Sequence, residues 1–223
     1  MTAPAQRPAP RRYGGLSDQE RRDERQRRFL EAGLETFGSL GYSATTTRRL
    51  CAEAGLTQRY FYQAFEGMEA LFVAVAKQLS EELRQQIITA MMSAEPEPEA
   101  MIRSSLGAYF HIMRNDPRVA RILLIEVFSV SQQTELLARH FMDELSDLLQ
   151  GILETRYPAL LRQGISPRLL TTGLIGATHH IALRWTMSGY AEPLEQVVET
   201  ALQICRNALD LTTSPLPNIP RNP

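Results

Sequence analysis

Apolar side chains recur three and four positions apart along most of this chain, a spacing that places them on one side of an α-helix. The longest such stripe runs through Leu71, Val75, Leu79, Leu83 and Ile87. No segment alternates apolar and polar positions over the length of a half-buried strand. The pattern therefore predicts an all-α protein.

Capping residues and prolines divide this pattern into about nine predicted helices. The first begins near Ser17, because Ser17 and Glu20 form a capping-box pattern, and Gly41 ends it. Prolines near several boundaries support the division, since proline is excluded from helix interiors. The predicted helices are 17–40, 46–54, 58–65, 67–92, 99–115, 117–129, 132–156, 167–188 and 192–212.

Composition separates the two ends of the chain from its middle. Proline and arginine dominate residues 1–16, and proline recurs in 214–223, so we expect a flexible basic arm and a disordered tail. Between them we predict a helix-turn-helix domain over 17–66 and a larger helical domain over 67–213.

Net charge is −1, which does not by itself indicate a nucleic-acid partner. The charge is unevenly placed, however. Residues 1–66 contain 11 basic and 8 acidic residues, whereas 67–223 contain 13 basic and 17 acidic residues. A basic front and an acidic remainder suit a DNA-binding head on a neutral-to-acidic body.

Two cysteines, Cys51 and Cys205, follow no metal or redox spacing, which favours a reducing, cytoplasmic setting without disulfides. No apolar run is long enough for a membrane span, and we expect no signal peptide. No catalytic constellation and neither His-Glu-x-x-His nor Glu-x-x-His occurs. We therefore expect no enzymatic activity, no cofactor and no metal.

The most informative stretch runs from Thr45 to Phe65, where two short predicted helices flank Gly55. Glycine can adopt the left-handed backbone that a tight turn needs. Thr57 stands where it can cap the second helix. Four residues can form a small core: Leu50, Leu56, Phe61 and Phe65. Four others are exposed on the second helix and can reach base edges and phosphates: Gln58, Arg59, Tyr60 and Gln63.

This stretch and its flanks, about residues 25–75, resemble the N-terminal domain of tetracycline-repressor (TetR) family regulators. The matching elements are Gly41-Tyr42, Thr45-Thr46, Ala54-Gly55, Thr57, Phe61-Tyr62-Gln63-Ala64-Phe65 and Glu69-Ala70-Leu71. Several independent elements occur in order at the family's spacing, so the resemblance is specific. Beyond this region the chain is similar to the family only in length and helix layout.

Three departures affect the surface that would meet DNA. Family members often have Lys where Met68 stands, His-Tyr where Gln63-Ala64 stand, and Gly-Thr where Arg59-Tyr60 stand. Met68 cannot contact a phosphate as an ion, whereas Gln63 can still donate a hydrogen bond. The resemblance therefore carries the fold, while individual DNA contacts do not transfer.

The resemblance implies a DNA-binding set of Thr45, Thr46, Arg48, Thr57, Gln58, Arg59, Tyr60, Tyr62 and Gln63. Thr46, or Thr45, would cap the second helix and touch a phosphate. Arg59 is the leading base reader, because its guanidinium matches guanine O6 and N7, worth roughly 1–3 kcal/mol of discrimination.

Roles without DNA contact stay open for several of these residues and their neighbours. Tyr62 can be a purely structural aromatic, and Arg48 a mere surface charge. The cluster from Arg21 to Arg28 can be a solvated helix face or can touch DNA. Three arm residues can lie along the minor groove or phosphates: Arg7, Arg11 and Arg12.

For the larger domain, the resemblance implies a small-molecule site whose occupation moves two DNA-reading heads. Candidate ligand-binding residues are Tyr109, Phe128, His140, His179 and Trp185, each with a structural role as its alternative. The mostly apolar side chains of this domain favour a hydrophobic or aromatic effector. We expect a repressor released by a small, largely apolar effector. The alternatives are a TetR-like activator or DNA binder without an effector, and an all-α enzyme or interaction module.

The resemblance also implies a homodimer through the last two helices, about 167–188 and 192–212, reading a roughly palindromic operator in double-stranded DNA. Two apolar stripes are candidates for that interface. The first is Leu170, Leu174, Ala177, Ile181 and Trp185, and the second is Leu194, Val198, Ala201, Leu202, Cys205 and Leu209. The alternative is that both stripes serve the core of their own chain.

Overall fold

The computed structural model describes residues 17–156 and 166–213. Within these ranges the chain forms nine α-helices and no strand, which confirms the predicted all-α class. The helices are α1 (Asp18–Leu40), α2 (Thr47–Ala54), α3 (Gln58–Ala64), α4 (Met68–Met92), α5 (Pro98–Asn115), α6 (Pro117–Leu124), α7 (Gln132–Arg156), α8 (Pro167–Met187) and α9 (Leu194–Thr213). The predicted arm and tail lie outside the described residues.

The first helix begins and ends as its sequence predicts. The Ser17 hydroxyl accepts a hydrogen bond from the backbone N–H of Glu20 at 3.1 Å, and the Glu20 carboxylate accepts one from the Ser17 N–H at 2.6 Å. This reciprocal pair is a complete capping box. At the other end Gly41 has φ +91°, a backbone conformation that favours glycine.

One predicted helix, 117–129, is wrong in its second half. Helix α6 ends at Leu124, and after Ile125 a 3₁₀ turn covers Glu126–Phe128. No proline or glycine marks this break. Instead the Glu126 carboxylate accepts hydrogen bonds from the Tyr42 N–H at 3.0 Å and from Arg121 Nε at 3.1 Å. These tertiary bonds accompany the change in backbone, and local periodicity does not reveal them.

Helices α1 to α3 pack as one unit, here called the head. Its centre consists of aromatic rings in edge-on contact. The Phe29 ring lies 5.6 Å from the Phe61 ring and 6.2 Å from the Phe65 ring, both at steep angles. Phe29, Phe61 and Leu50 are fully buried. Edge-to-face pairs contribute about 0.5–1.5 kcal/mol each beyond their buried area, so these rings hold α1 and α3 together.

Helices α4 to α9 form the rest of the described chain, here called the body, and α1 crosses two of its helices at glycines. A Cβ added at Gly33 would lie 2.8 Å from Val75 Cγ2 on α4. A Cβ at Gly38 would lie 2.3 Å from Arg118 Cβ and 2.8 Å from Arg118 Cα on α6. The head is therefore packed directly onto α4 and α6. None of the described helices has the length and apolarity needed to cross a lipid bilayer.

Candidate DNA-binding surface and effector cavity

The connection between α2 and α3 is a tight turn centred on Gly55. Gly55 has φ 60° and ψ 34°, the left-handed conformation. Its N–H donates to the Ala52 carbonyl at 3.1 Å, and the Leu56 N–H donates to the Cys51 carbonyl at 3.0 Å. These bonds satisfy the last carbonyls of α2 and fix the angle at which α3 leaves the turn.

The two candidate threonines before α2 have different roles. The Thr46 hydroxyl accepts a hydrogen bond from the Arg49 N–H at 3.3 Å, so Thr46 caps α2 and remains exposed. Thr45 is only 8% exposed, and its hydroxyl donates toward the Gly41 carbonyl at 2.8 Å and the Thr36 carbonyl at 3.2 Å. Thr45 is therefore corrected from a phosphate contact to a structural residue that braces the end of α1.

Thr57 precedes α3 in an extended conformation but makes no side-chain capping hydrogen bond. The expectation that its hydroxyl caps α3 is therefore wrong. Because Thr57 is exposed, its hydroxyl remains available to a group outside the chain.

The outward face of α3 carries the expected polar and aromatic set. Gln58, Arg59, Tyr60, Tyr62 and Gln63 are all exposed, while Phe61 between them is fully buried. Tyr62 is 61% exposed and its ring meets only the edge of Phe61, 5.2 Å away. Phe61 thus anchors the helix and leaves its neighbours facing solvent.

Two of the candidate arginines, Arg48 on α2 and Arg59 on α3, are exposed. Neither side chain forms an ion pair or hydrogen bond with any group in the described ranges. An exposed guanidinium without an internal partner is suited to bind phosphate or a base edge.

Arg25 on α1, a member of the Arg21-to-Arg28 cluster, reaches α3. Its guanidinium carbon lies 4.6 Å from the centre of the Tyr60 ring, a cation–π distance. Arg28 donates a long hydrogen bond of 3.5 Å to the Gly55 carbonyl. By contrast, Arg21 and Arg27 pair with carboxylates on their own helix, as a solvated face does. Sequence spacing gives no signal for the contact between Arg25 and Tyr60.

The body contains an apolar space, here called the inner cavity, between α4, α5, α7, α8 and α9. The volume of this cavity is about 110 Å³. Its walls include Met91, Leu106, Tyr109, Met142, Leu149, Ile175, His179 and Cys205. A smaller space, the second cavity, has Leu124, Val127 and Phe128 in its wall and shares Tyr109 and His179 with the first.

The five ligand candidates are placed differently. Tyr109 and His179 line both cavities, and Phe128 lines the second. His140 lies on the exposed side of α7, 3.4 Å from Glu144, outside both spaces. Trp185 is 2% exposed, and its indole N–H donates to the Glu192 carbonyl at 2.9 Å. His140 therefore lies at the surface and Trp185 in the core, and neither lines the inner or the second cavity.

Burial changes the acid–base properties of the cavity wall. Burial, and secondarily the neighbouring His180, lowers the pKa of His179, which favours its neutral form. Burial raises the pKa of the Tyr109 phenol and raises that of the Cys205 thiol to about 11. The wall of the inner cavity is thus uncharged near neutral pH.

A polar clasp joins the second cavity to the head. Arg121 on α6 donates to the carbonyls of Ser39 at 2.9 Å and Leu40 at 3.1 Å, the last residues of α1. It also pairs with Glu126, which in turn holds the Tyr42 N–H. Three residues beside this clasp form part of the second cavity's wall: Leu124, Val127 and Phe128. A displacement of that wall would therefore reach α1 directly.

The apolar stripes proposed for dimerisation belong mostly to the core of their own chain. Leu174 and Trp185 of the first stripe are buried, as are Val198, Ala201, Leu202, Cys205 and Leu209 of the second. A different face of α8 is exposed. It carries Leu169 and Met187, 73% and 71% exposed, with exposed Gly173 between them.

Comparisons with known proteins agree with this geometry. The sequence model of bacterial regulatory proteins of the tetR family matches residues 29–75. The HTH-type transcriptional repressor DhaR of Mycobacterium sp. (strain GP1) is 24% identical over 177 residues, which cover 78% of this chain and 89% of DhaR.

Two solved structures share the fold. The fatty acid degradation regulator FadR of Bacillus halodurans has a TM-score of 0.69 at 16% identity, covering 86% of this chain and 96% of FadR. FadR of Bacillus subtilis, in complex with stearoyl-CoA, has a TM-score of 0.66 at 14% identity, covering 84% and 97%.

A helix-turn-helix with an exposed cationic helix, packed on a helical body, defines the class of protein as a DNA-binding transcriptional regulator. The family match and the relatives identify the group within that class. Residues 29–75 belong to the DNA-binding region of the TetR family of bacterial regulatory proteins, and the chain as a whole is similar to regulators such as DhaR and shares its fold with FadR.

Proposed function

We propose that this protein is a homodimeric repressor that leaves its operator when a small, largely apolar molecule binds in the body. The observation that carries the ligand-responsive part is the inner cavity, an apolar space that shares Tyr109 and His179 with the second cavity, whose wall lies beside the clasp on α1. The relative DhaR is named a transcriptional repressor, which supports repression over activation. We assign DNA binding to residues 17–66 and effector binding with dimerisation to 67–213, in the cytoplasm, where bacterial operators lie.

Helix α3 enters the major groove in this proposal. Arg59 reads a base edge, because its guanidinium has no competing internal partner. Gln58 and Tyr60 lie beside it, and Arg25 holds the Tyr60 ring by stacking on it. Phosphate contacts come from Thr46, Arg48, Thr57, Tyr62 and Gln63.

The homodimer uses the exposed face of α8 together with α9. Leu169 and Met187 supply apolar contacts at either end of that face. A Cβ added at Gly173 or at Gly176 would meet no atom within 4 Å, so a partner helix can approach α8 closely at these positions. A two-fold dimer places two heads on a roughly palindromic operator, with half-sites separated by about one helical turn or a multiple of it.

Release of the operator requires that the effector bind one arrangement of the two heads more tightly than the other. We assign the moving part to α6 and the 3₁₀ turn, since Leu124 and Phe128 line the second cavity and Arg121 holds the end of α1. Occupation of the cavity displaces this wall and, through the clasp, reorients the head.

The test of DNA binding is fluorescence anisotropy at fixed salt, with labelled DNA from upstream of the gene for this protein. Wild type should bind that DNA at least about a thousandfold more tightly than a scrambled sequence. Arg59→Ala should lose about ten- to a hundredfold on the operator, which corresponds to roughly 1–3 kcal/mol.

The matched control for this test is Arg139→Ala. Arg139 is an exposed arginine on α7, so the substitution removes the same charge far from α3. It should leave operator affinity unchanged within about twofold. Equal binding of operator and scrambled DNA by wild type would refute the proposal. Specific binding that activates transcription would favour the TetR-like activator instead.

A further inference from the structure

Two hydrogen-bonding side chains stand in the otherwise apolar wall between the inner and second cavities. Tyr109 and His179 line both spaces. Neither the Tyr109 hydroxyl nor the His179 imidazole forms a hydrogen bond with any residue in the described part of the chain. Tyr109 as a whole is only 7% exposed.

The other hydroxyls of the inner cavity are already engaged. Ser105 donates to the Met101 carbonyl at 2.8 Å, and Thr178 donates to the Leu174 carbonyl at 2.9 Å, both within their own helices. A few polar groups in an otherwise apolar wall are what orient a ligand in such a site. Tyr109 and His179 are the polar side chains of this wall whose hydrogen-bonding groups are not engaged within the described part of the chain.

Charge restricts what that molecule can be. No Asp, Glu, Lys or Arg of the described ranges lines either cavity. An ionised ligand group would be buried there without a counter-charge, which is strongly unfavourable. His179 does not supply one, because burial lowers its pKa and favours the neutral ring. This wall lacks the cations that a carboxylate or the phosphates of a coenzyme A thioester would need.

Size restricts it further. A cavity of about 150 Å³ is large enough to hold benzene. The inner cavity, with a volume of about 110 Å³, is smaller than that, so it accepts at most a single ring or a short branched chain. Met91, Met101 and Met142 in its wall are flexible and can adapt to the outline of the ligand.

We propose that the effector is a small uncharged molecule with an apolar body and one hydrogen-bonding oxygen, as in an alcohol, phenol or ketone. Its body lies in the inner cavity, and its oxygen meets Tyr109 and His179. This inference rests on the proposed function, since it names the ligand class of the same effector site. It assigns Tyr109 and His179 as the residues that determine specificity.

The test compares three probes of similar size by isothermal titration calorimetry at about pH 8: benzyl alcohol, toluene and benzoate. Tyr109→Phe should weaken benzyl alcohol about five- to tenfold, the worth of one hydrogen bond, and change toluene less than about twofold. His179→Leu should show the same selective loss. Benzoate should bind wild type at least about a hundredfold more weakly than benzyl alcohol, because its charge would be buried without a partner.

Tyr190→Phe is the matched control. Its hydroxyl donates to the Met113 carbonyl at 2.8 Å, so this variant should lower Tm and leave the affinities of all three probes unchanged. Tyr109→Phe removes an unpartnered hydroxyl and should not lower Tm. A purely structural role for Tyr109 predicts the reverse.

Three results would overturn the inference: equal loss of toluene and benzyl alcohol in Tyr109→Phe, benzoate binding as tight as that of benzyl alcohol, or no binding of any probe to wild type. Each measurement is made without DNA, so failure of the proposed function is recognised separately. If benzyl alcohol binding depends on Tyr109 but leaves operator affinity unchanged, the ligand class stands and effector-driven release is wrong.

Discussion

The contact between α1 and α6 at Gly38 offers the sharpest test of how the head is held on the body. A Cβ at position 38 would lie 2.3 Å from Arg118 Cβ and 2.8 Å from Arg118 Cα. The atoms in the way belong to the start of α6 rather than to the end of a flexible side chain. Gly38→Ala can therefore be accommodated only if the two helices separate.

The expected cost follows from two opposing effects. Overpacking of a close helix contact costs about 1–3 kcal/mol. Alanine is favoured over glycine within a helix by roughly 0.5–1 kcal/mol. Because backbone must move here, we expect an overpacking cost of about 2–3 kcal/mol and a net loss of about 1–2.5 kcal/mol in the free energy of unfolding.

Urea denaturation followed by circular dichroism measures this change at fixed protein concentration. Gly107→Ala is the matched control, since a Cβ at Gly107 on α5 meets nothing within 4 Å. It should stabilise the protein by about 0.5–1 kcal/mol. If Gly38→Ala is as stable as Gly107→Ala, the close packing of α1 on α6 is wrong, and with it the proposed route from the cavity to the head.

Three further predictions concern the clasp, the dimer and the cavity histidine. Arg121→Ala removes two hydrogen bonds to the last turn of α1 and should lower the free energy of unfolding, measured in urea, by about 1–2 kcal/mol. The control Arg139→Ala removes an exposed arginine and should lower it by at most about 0.5 kcal/mol. Equal losses in the two variants would contradict the clasp. Met187→Glu should shift the protein from dimer to monomer in sedimentation velocity. Met92→Glu, at a side chain that is equally exposed at 71%, should leave the dimer intact. If both variants remain dimeric, the interface lies elsewhere. The pKa of His179 is lowered in the folded state, so the unfolded chain binds a proton at this residue more readily than the folded chain does. The resulting loss in the free energy of unfolding is absent above about pH 6.5 and grows as the pH falls below that value. His179→Gln should therefore lose less stability than wild type between about pH 8 and pH 5.5, and an unchanged pH dependence would contradict the burial of that ring.

Much of the head could be predicted from sequence because its determinants are local. The capping box at Ser17, the cap at Thr46 and the left-handed Gly55 each depend on residues within one turn of helix. The sequence does not distinguish Thr45 from Thr46, since either hydroxyl could cap α2. The choice is made by the Gly41 and Thr36 carbonyls, which bind the Thr45 hydroxyl from the end of α1.

The remaining errors arise from contacts between residues far apart in sequence. The break after Leu124 accompanies the bond of Glu126 to Tyr42, and the stacking of Arg25 on Tyr60 joins α1 to α3. Neither has a periodic signal. Periodicity reveals the apolar stripes of α8 and α9, but it does not distinguish a core face from an interface between subunits.

DNase I footprinting of the purified protein on DNA upstream of its own gene tests the central claim most directly. A two-fold dimer that reads DNA through α3 predicts a protected segment with two-fold symmetry, containing two related half-sites about one helical turn or a multiple of it apart. Arg59→Ala should lose this protection at a concentration where wild type gives it in full. Uniform, sequence-independent protection, or no protection anywhere in the segment, would contradict the account.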